Sequence, residues 1–93
     1  MKTLADFKRA LVIGSEWEAF NHYYQSSLGI RAVGKVQSNC FAFITYRNGE
    51  SNLSYCDFPL SKDIKFREDG TVEIYKEWCD GYRLMMTYKK VEQ

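Results

Sequence analysis

The residue types that most often carry out catalysis or bind metals are few and scattered in this chain. His22 is the only histidine, and Cys40, Cys56 and Cys79 are too far apart for a CxxC motif. Nucleophilic catalysis needs a nucleophile beside a base, and a metal site needs three or more ligands. The sequence contains neither pattern, and it has no GxSxG, HExxH or glycine-rich phosphate loop. We therefore predict that the protein is not an enzyme and has no cofactor, that His22 lies on a polar or half-buried strand face, and that the thiols stay reduced.

One segment has the alternating aromatics of a nucleic-acid-binding strand. Residues 39–46, NCFAFITY, resemble the RNP1 strand of RNA-recognition motifs, in which Phe41 and Phe43 would stack on bases. Asn39 and Cys40 depart from the basic-glycine pair of that motif, and the second helix of its fold is missing. Because a central strand of a core also needs alternating aromatics, we expect Phe41 and Phe43 to pack inside the protein.

The basic residues suggest an alternative function as a nucleic-acid-binding domain. Arg31 and Lys35 are predicted to share one strand face, and Lys65 and Arg67 another. Thirteen basic and twelve acidic residues leave a net charge of +1, which disfavours both a nucleic-acid clamp and a DNA mimic. Acidic residues on the same predicted hairpin as Lys65 and Arg67 favour surface ion pairs over a phosphate track. They are Glu68, Asp69, Glu73 and Glu77.

The aromatic residues suggest a protein-binding surface instead. Seven tyrosines and two tryptophans exceed what one small core readily encloses, and these two residue types dominate protein–protein hot spots. The segment from Trp78 to Tyr82 is a turn that carries two of them. We predict that the partner-binding residues are Trp78, Tyr82, Tyr75 and Tyr55.

A single helix is predicted at the start of the chain. Thr3 and Asp6 form a capping-box pattern, and Leu4, Phe7 and Leu11 have the spacing of one helical face. Gly14 is the predicted residue after the helix end.

Residues 15–24 fit two structures. Ser15 and Glu18 could cap a second helix, but aromatics are enriched in strands, and we favour a strand. We then predict a turn at residues 26–29 and a strand from Ile30 to Gln37.

The rest of the chain predicts strands joined by tight turns. Asn48-Gly49 is a strong hairpin signal, Glu68-Asp69-Gly70 and Cys79-Asp80-Gly81 predict two more turns, and Pro59 predicts a break. Both alternating sets of strand 40–46 are apolar, which favours a central strand covered on both faces. The predicted strands are 40–46, 52–56, 64–67, 71–77 and 82–91.

Together these elements predict one compact domain over residues 1–93, of class α+β and mostly β. One N-terminal helix packs on a strongly bent antiparallel sheet of about six or seven strands. The longest early apolar stretch, Ala10 to Ile13, is too short for a secretory signal or a membrane span, so we expect a cytoplasmic protein without membrane contact.

Two segments resemble short uncharacterised proteins from phages and other mobile elements of bacteria. They are residues 4–14, LxDFKRALxxG, and residues 29–42, GIRxVxxVQSNxFA. The resemblance assigns no site residues. It implies a small protein that binds and blocks a host enzyme, as anti-CRISPR proteins do, or that supports phage DNA transactions. We therefore predict an inhibitor of a host defence nuclease, with a nucleic-acid accessory domain as the alternative and a virion-assembly role third.

Overall fold

A computed structural model describes residues 1–92, which form one short helix and a seven-stranded antiparallel sheet. The helix α1 is Leu4–Ala10, and a 3-10 turn, Ser61–Asp63, precedes the fifth strand. The order of the strands across the sheet is β4-β3-β2-β1-β7-β6-β5. The strands are β1 Glu16–Asn21, β2 Ser26–Val36, β3 Cys40–Arg47, β4 Glu50–Asp57, β5 Ile64–Phe66, β6 Val72–Trp78 and β7 Gly81–Lys90.

Helix α1 begins with the predicted capping box. The Thr3 hydroxyl accepts the backbone N–H of Asp6, while the Asp6 carboxylate accepts the N–H of Thr3. The helix ends at Ala10, earlier than predicted, because Leu11 is the C-cap and donates its N–H to the Phe7 carbonyl. Gly14 therefore does not follow the helix end directly. It lies in the turn before β1, with a φ of +88° and its N–H bonded to the Val33 carbonyl.

Residues 16–21 form a strand, as we favoured, but the next turn lies earlier than predicted. The side chain of Asn21 accepts the N–H groups of Tyr23 and Tyr24, and Gln25 has a φ of +53°. This local bonding turns the chain at residues 22–25, because an Asn side chain can stand in for a backbone acceptor. Consequently β2 begins at Ser26, and the predicted turn at 26–29 is wrong.

The β3–β4 hairpin has the predicted tight turn. Asn48 and Gly49 have φ values of +53° and +79°, as a type I′ turn requires. The two strands then pair in an unbroken register from Arg47 opposite Glu50 to Cys40 opposite Asp57. Strand β3 lies between β2 and β4, and Phe41, Ala42 and Phe43 are buried on both of its faces, as predicted. The prediction fails at the end of the strand, where Tyr46 is 78% exposed.

The remaining strands form two predicted hairpins. Strand β5 pairs with β6, and β6 pairs with β7 through the turn at Cys79 and Asp80. Strand β7 then pairs with β1, which places β1 fourth among the seven strands.

The buried side chains come from the helix and from strands on both sides of β1. The Phe7 ring is fully buried, and its centroid lies 5.7 Å from those of Trp17 and Phe41 and 6.0 Å from that of Tyr88. The contacts with Trp17 and Phe41 are edge-to-face and the contact with Tyr88 is stacked, and both kinds add stability beyond the burial of apolar area. The core residues are Phe7, Leu11, Trp17, Ala19, Val33, Phe41, Phe43, Ile64, Val72 and Tyr88.

Candidate functional site

Four large side chains form an apolar surface on the β3–β4 hairpin, which we call the hairpin patch. Ile44 lies directly opposite Leu53. On the same face, Tyr46 lies two residues after Ile44 on β3 and Tyr55 two residues after Leu53 on β4, so the tyrosines are on opposite sides of this pair. Tyr46 is 78% exposed, Tyr55 53% and Leu53 42%, and Ile44 is half-buried. Phe41 and Phe43 point to the other face, where the core lies. The hairpin therefore has a buried aromatic face and an exposed apolar one.

The hairpin patch rests on a glycine of β2. A Cβ atom added to Gly34 would lie 2.6 Å from Cγ1 of Ile44 and 2.8 Å from Cδ2 of Leu53. Because such a separation is far below van der Waals contact, only glycine lets these side chains lie so close to the β2 backbone. The register of β2 against β3 also shifts here, between Val33 and Lys35. Gly34 thus combines a bulge with a close approach.

Trp78, the predicted centre of a binding surface, belongs to an aromatic cluster at another end of the molecule. Its ring stacks on Tyr23 at 5.7 Å, and the Lys76 ammonium lies 5.3 Å from its centroid. Its indole N–H is buried without a hydrogen-bond partner among the described residues. Tyr24, 73% exposed, packs edge-on against Tyr23. Trp78 is therefore half-buried and packs against its own chain.

The other three predicted partner-binding residues do not join Trp78. Tyr82 follows the β6–β7 turn and is paired with Glu77, one position before Trp78, and its hydroxyl donates to Asp63 at 2.9 Å. Tyr75 is half-buried beneath the Lys65 ammonium, which lies 5.0 Å from its ring centroid. Tyr55 lies on β4, at the sheet edge farthest from β5. Only Tyr55 is part of the hairpin patch.

The basic residues of the nucleic-acid alternative have partners or lie apart. Arg67 forms an ion pair with Glu73 at 2.7 Å, and the guanidinium's pKa rises because Glu73 accepts its hydrogen bonds. Arg31 and Lys35 do not share a face, contrary to the prediction. Arg31 lies opposite buried Trp17, whereas the register shift at Gly34 sets Lys35 opposite Ala42, on the other side from Phe43. The bulge at Gly34 interrupts the alternation of side chains along β2, so Arg31 and Lys35 lie on opposite faces.

The residues that could carry chemistry are also dispersed. Phe41 and Phe43 are 1% and 2% exposed, so they cannot stack on bases. His22 lies in the turn after β1, where its ring Nε2 is 3.0 Å from the Thr87 hydroxyl. Within residues 1–92, no three His, Cys, Asp or Glu side chains are grouped as metal ligands would be.

The three thiols are free and differ in environment. Cys79 is exposed, whereas Cys40 and Cys56 are half-buried. Burial raises the pKa of the Cys56 thiol, although a hydrogen bond with Tyr88 opposes this shift. Burial also raises the pKa of the Tyr88 phenol well above its usual value. At neutral pH the Tyr88 phenol in the core and the Cys56 thiol packed against it are therefore protonated.

Comparison with protein-family models, with curated proteins and with solved structures finds no match for this chain. No helix of the described residues is long and apolar enough to cross a membrane.

Sequence reasoning missed Tyr46, Ile44 and Leu53 as surface residues. Their alternation was visible, but it was interpreted as a strand covered on both faces. The Asn48-Gly49 turn predicts only that β4 lies beside β3, and it does not predict which face of the hairpin is exposed. Whether another strand covers β4 depends on pairing elsewhere in the chain.

Proposed function

We propose that this chain is a non-enzymatic protein-binding module whose contact surface is the hairpin patch. The observation that carries the proposal is the exposure of Tyr46, Leu53 and Tyr55 on one face of a hairpin, where the two tyrosines flank the Ile44–Leu53 pair. A whole tyrosine side chain offers roughly 200 Å², so the two tyrosines alone leave on the order of 260 Å² uncovered. Leu53, 42% exposed, adds to this area. The largest contiguous apolar patch on a typical monomer is about 300–600 Å² and is often functional.

The chemistry of the hairpin patch suits a protein partner. Tyrosine offers a large rigid ring and a hydroxyl, and it is enriched at binding hot spots. Of the basic side chains of the nucleic-acid alternative, Arg67 is paired with Glu73, Lys65 lies over Tyr75, and Lys35 alone lies on the face of the hairpin patch. A phosphate-binding surface needs several unpaired cations together. These observations favour recognition of a protein over recognition of a nucleic acid.

The proposed partner is a protein of a bacterial host, and the proposed setting is the cytoplasm during phage infection. The resemblance of residues 4–14 and 29–42 to short phage proteins supports this setting. In it, the module occludes a working surface of a host defence enzyme such as a CRISPR-associated nuclease. An inhibitor that acts by covering a surface needs no catalytic group.

We further propose that α1 packs on a strongly bent sheet. Strands β3 and β7 are separated by two strands in the sheet order, and neighbouring strands are about 4.8 Å apart. The ring centroids of Phe41 and Tyr88 are nevertheless only 5.7 Å apart. The contacts of Phe7 with Trp17, Phe41 and Tyr88 support a helix that fills the inside of the bend.

The experiment that tests the proposed function is a tagged pull-down from bacterial lysate, with and without nuclease, assayed for protein and nucleic acid. A stoichiometric protein partner that survives nuclease is expected. Recovery of nucleic acid alone, or loss of every partner with nuclease, would contradict the proposal. The basic residues Arg31, Lys35, Lys65 and Arg67 would then be the residues to substitute.

A further inference from the structure

Strand β4 is a long open edge of the sheet without the features that usually protect such an edge. Its eight residues pair with β3 without any register shift, and all of them except the half-buried Cys56 are exposed. Natural proteins protect edges with short strands, lysines, prolines or bulges. Strand β4 has the sequence ESNLSYCD, with charged residues only at its two ends and no lysine, proline or bulge, whereas the opposite edge, β5, has three residues.

The hairpin geometry identifies which backbone groups of β4 point outward. A two-residue hairpin closes on a hydrogen-bonded pair, here Arg47 with Glu50, and such pairs then alternate along the ladder. The N–H of Phe58 donates to the Asn39 carbonyl at 3.0 Å, which agrees with this alternation. The even-numbered residues therefore bond to β3. The outward groups belong to Ser51, Leu53, Tyr55 and Asp57.

We propose that β4 pairs antiparallel with β4 of a second copy of this chain, about a two-fold axis that passes between the two copies of Ser54. This register places Leu53 opposite Tyr55 of the second copy and Ser51 opposite its Asp57. All outward N–H and C=O groups from 51 to 57 then have partners. The apolar side chains meet each other, and each carboxylate of Asp57 meets a hydroxyl donor instead of another carboxylate.

The extent of pairing along β4 selects this register among neighbouring ones. A two-fold axis perpendicular to the sheet pairs residues of equal parity, so the axis passes between one residue and its own copy. Centring it on Leu53 would place Asp57 beyond the strand, opposite Gly49, and would leave its outward groups unpaired. The Ser54-centred register uses the whole edge and sets no two like charges opposite. The short β5 edge offers little for further growth, so pairing ends at a dimer.

This inference goes beyond the proposed function, because the dimer forms through the backbone edge while a host partner contacts the side chains of the hairpin patch. A variant that no longer forms the dimer can still be assayed for capture of a host partner, and a variant that no longer captures a partner can still be assayed for dimer formation. If both hold, the two patches become neighbours on one extended sheet and present a doubled surface.

Sedimentation velocity of the whole chain across a wide concentration range tests the proposal, with two lysine substitutions of opposite expected sign. Ser54→Lys sets two ammonium groups opposite each other at the axis, and the association constant should fall about fivefold. Ser51→Lys sets an ammonium opposite Asp57 of the second copy, and the constant should rise about fivefold. Ser38→Lys, at an exposed position outside the strands, controls for added charge.

A concentration-dependent dimer with these opposite responses supports the proposal. A monomer at every concentration would overturn it. A dimer whose association constant moves equally for Ser51→Lys, Ser54→Lys and Ser38→Lys would also overturn it, because another surface would then hold the copies together. Circular dichroism of each variant verifies that it is folded.

Discussion

Leu53 lies directly opposite Ile44 on the β3–β4 hairpin, and both side chains close over the bare α-carbon of Gly34. This contact joins the exposed face of the hairpin to β2. The hairpin patch is therefore supported by the sheet beneath it. A rigid apolar surface suits binding, because fewer side chains lose freedom when a partner docks.

The close approach at Gly34 predicts that Gly34→Ala is destabilising. The added methyl would lie within 3 Å of Ile44 and Leu53, and forcing extra atoms into a packed site costs about 1–3 kcal/mol. Urea denaturation should show a lower midpoint with an unchanged slope. In the double variant with Leu53→Ala, part of that loss should be recovered, because one of the two clashing side chains is gone. An unchanged midpoint for Gly34→Ala would show that the hairpin does not rest on β2 in this way.

The cap of α1 predicts an acid-sensitive contribution to stability. Hydrogen bonds from the backbone N–H groups of Lys2 and Thr3 lower the pKa of Asp6 below its usual 3.8. A carboxyl whose pKa is lower in the folded state stabilises the fold at neutral pH and loses this effect as pH falls through the folded pKa. Asp6→Ala should therefore reduce the free energy of unfolding at neutral pH. The difference from wild type should disappear in strong acid, and a constant difference at every pH would be the contrary result.

The environments of the thiols predict two rates of modification. Cys79 is exposed, whereas burial raises the pKa of Cys56 above 9.0. Because the thiolate is the reactive form, Cys56 should react slowly at neutral pH and faster only as pH rises. Titration with a disulfide reagent should show a fast phase that Cys79→Ser removes. A fast phase that persists in that variant and vanishes with Cys56→Ser would reverse the assignment.

Local signals in the sequence predicted most of the fold. The Thr3 and Asp6 cap and the Asn48-Gly49 turn each depend on neighbours in sequence, and each lies where it was expected. The turn after β1 was misplaced because the Asn21 side chain, not a glycine, makes it. Side-chain bonds of this kind have weak sequence signatures.

The binding surface was harder to predict because it depends on the order of the strands. Nothing local in residues 50–57 says that β4 lies at an edge, or that Tyr55 and Tyr46 lie on one exposed face. The shift that separates Arg31 from Lys35 lies at Gly34, where Ile44 and Leu53 pack against the β2 backbone. Such contacts join residues far apart in sequence, and a single chain's pattern does not specify them.

Contact between the hairpin patch and a protein partner is tested most directly by comparing capture by matched tyrosine variants. Tyr46→Ser and Tyr55→Ser lie in the hairpin patch, while Tyr24→Ser removes a tyrosine about as exposed as Tyr46 from the Trp78 end. In nuclease-treated lysate at equal bait, we expect at least about tenfold less partner with either patch variant, as for a hot-spot residue, and unchanged capture with Tyr24→Ser. Full capture by both patch variants, with loss in Tyr24→Ser, would contradict the proposed function and place the contact at the Trp78 cluster.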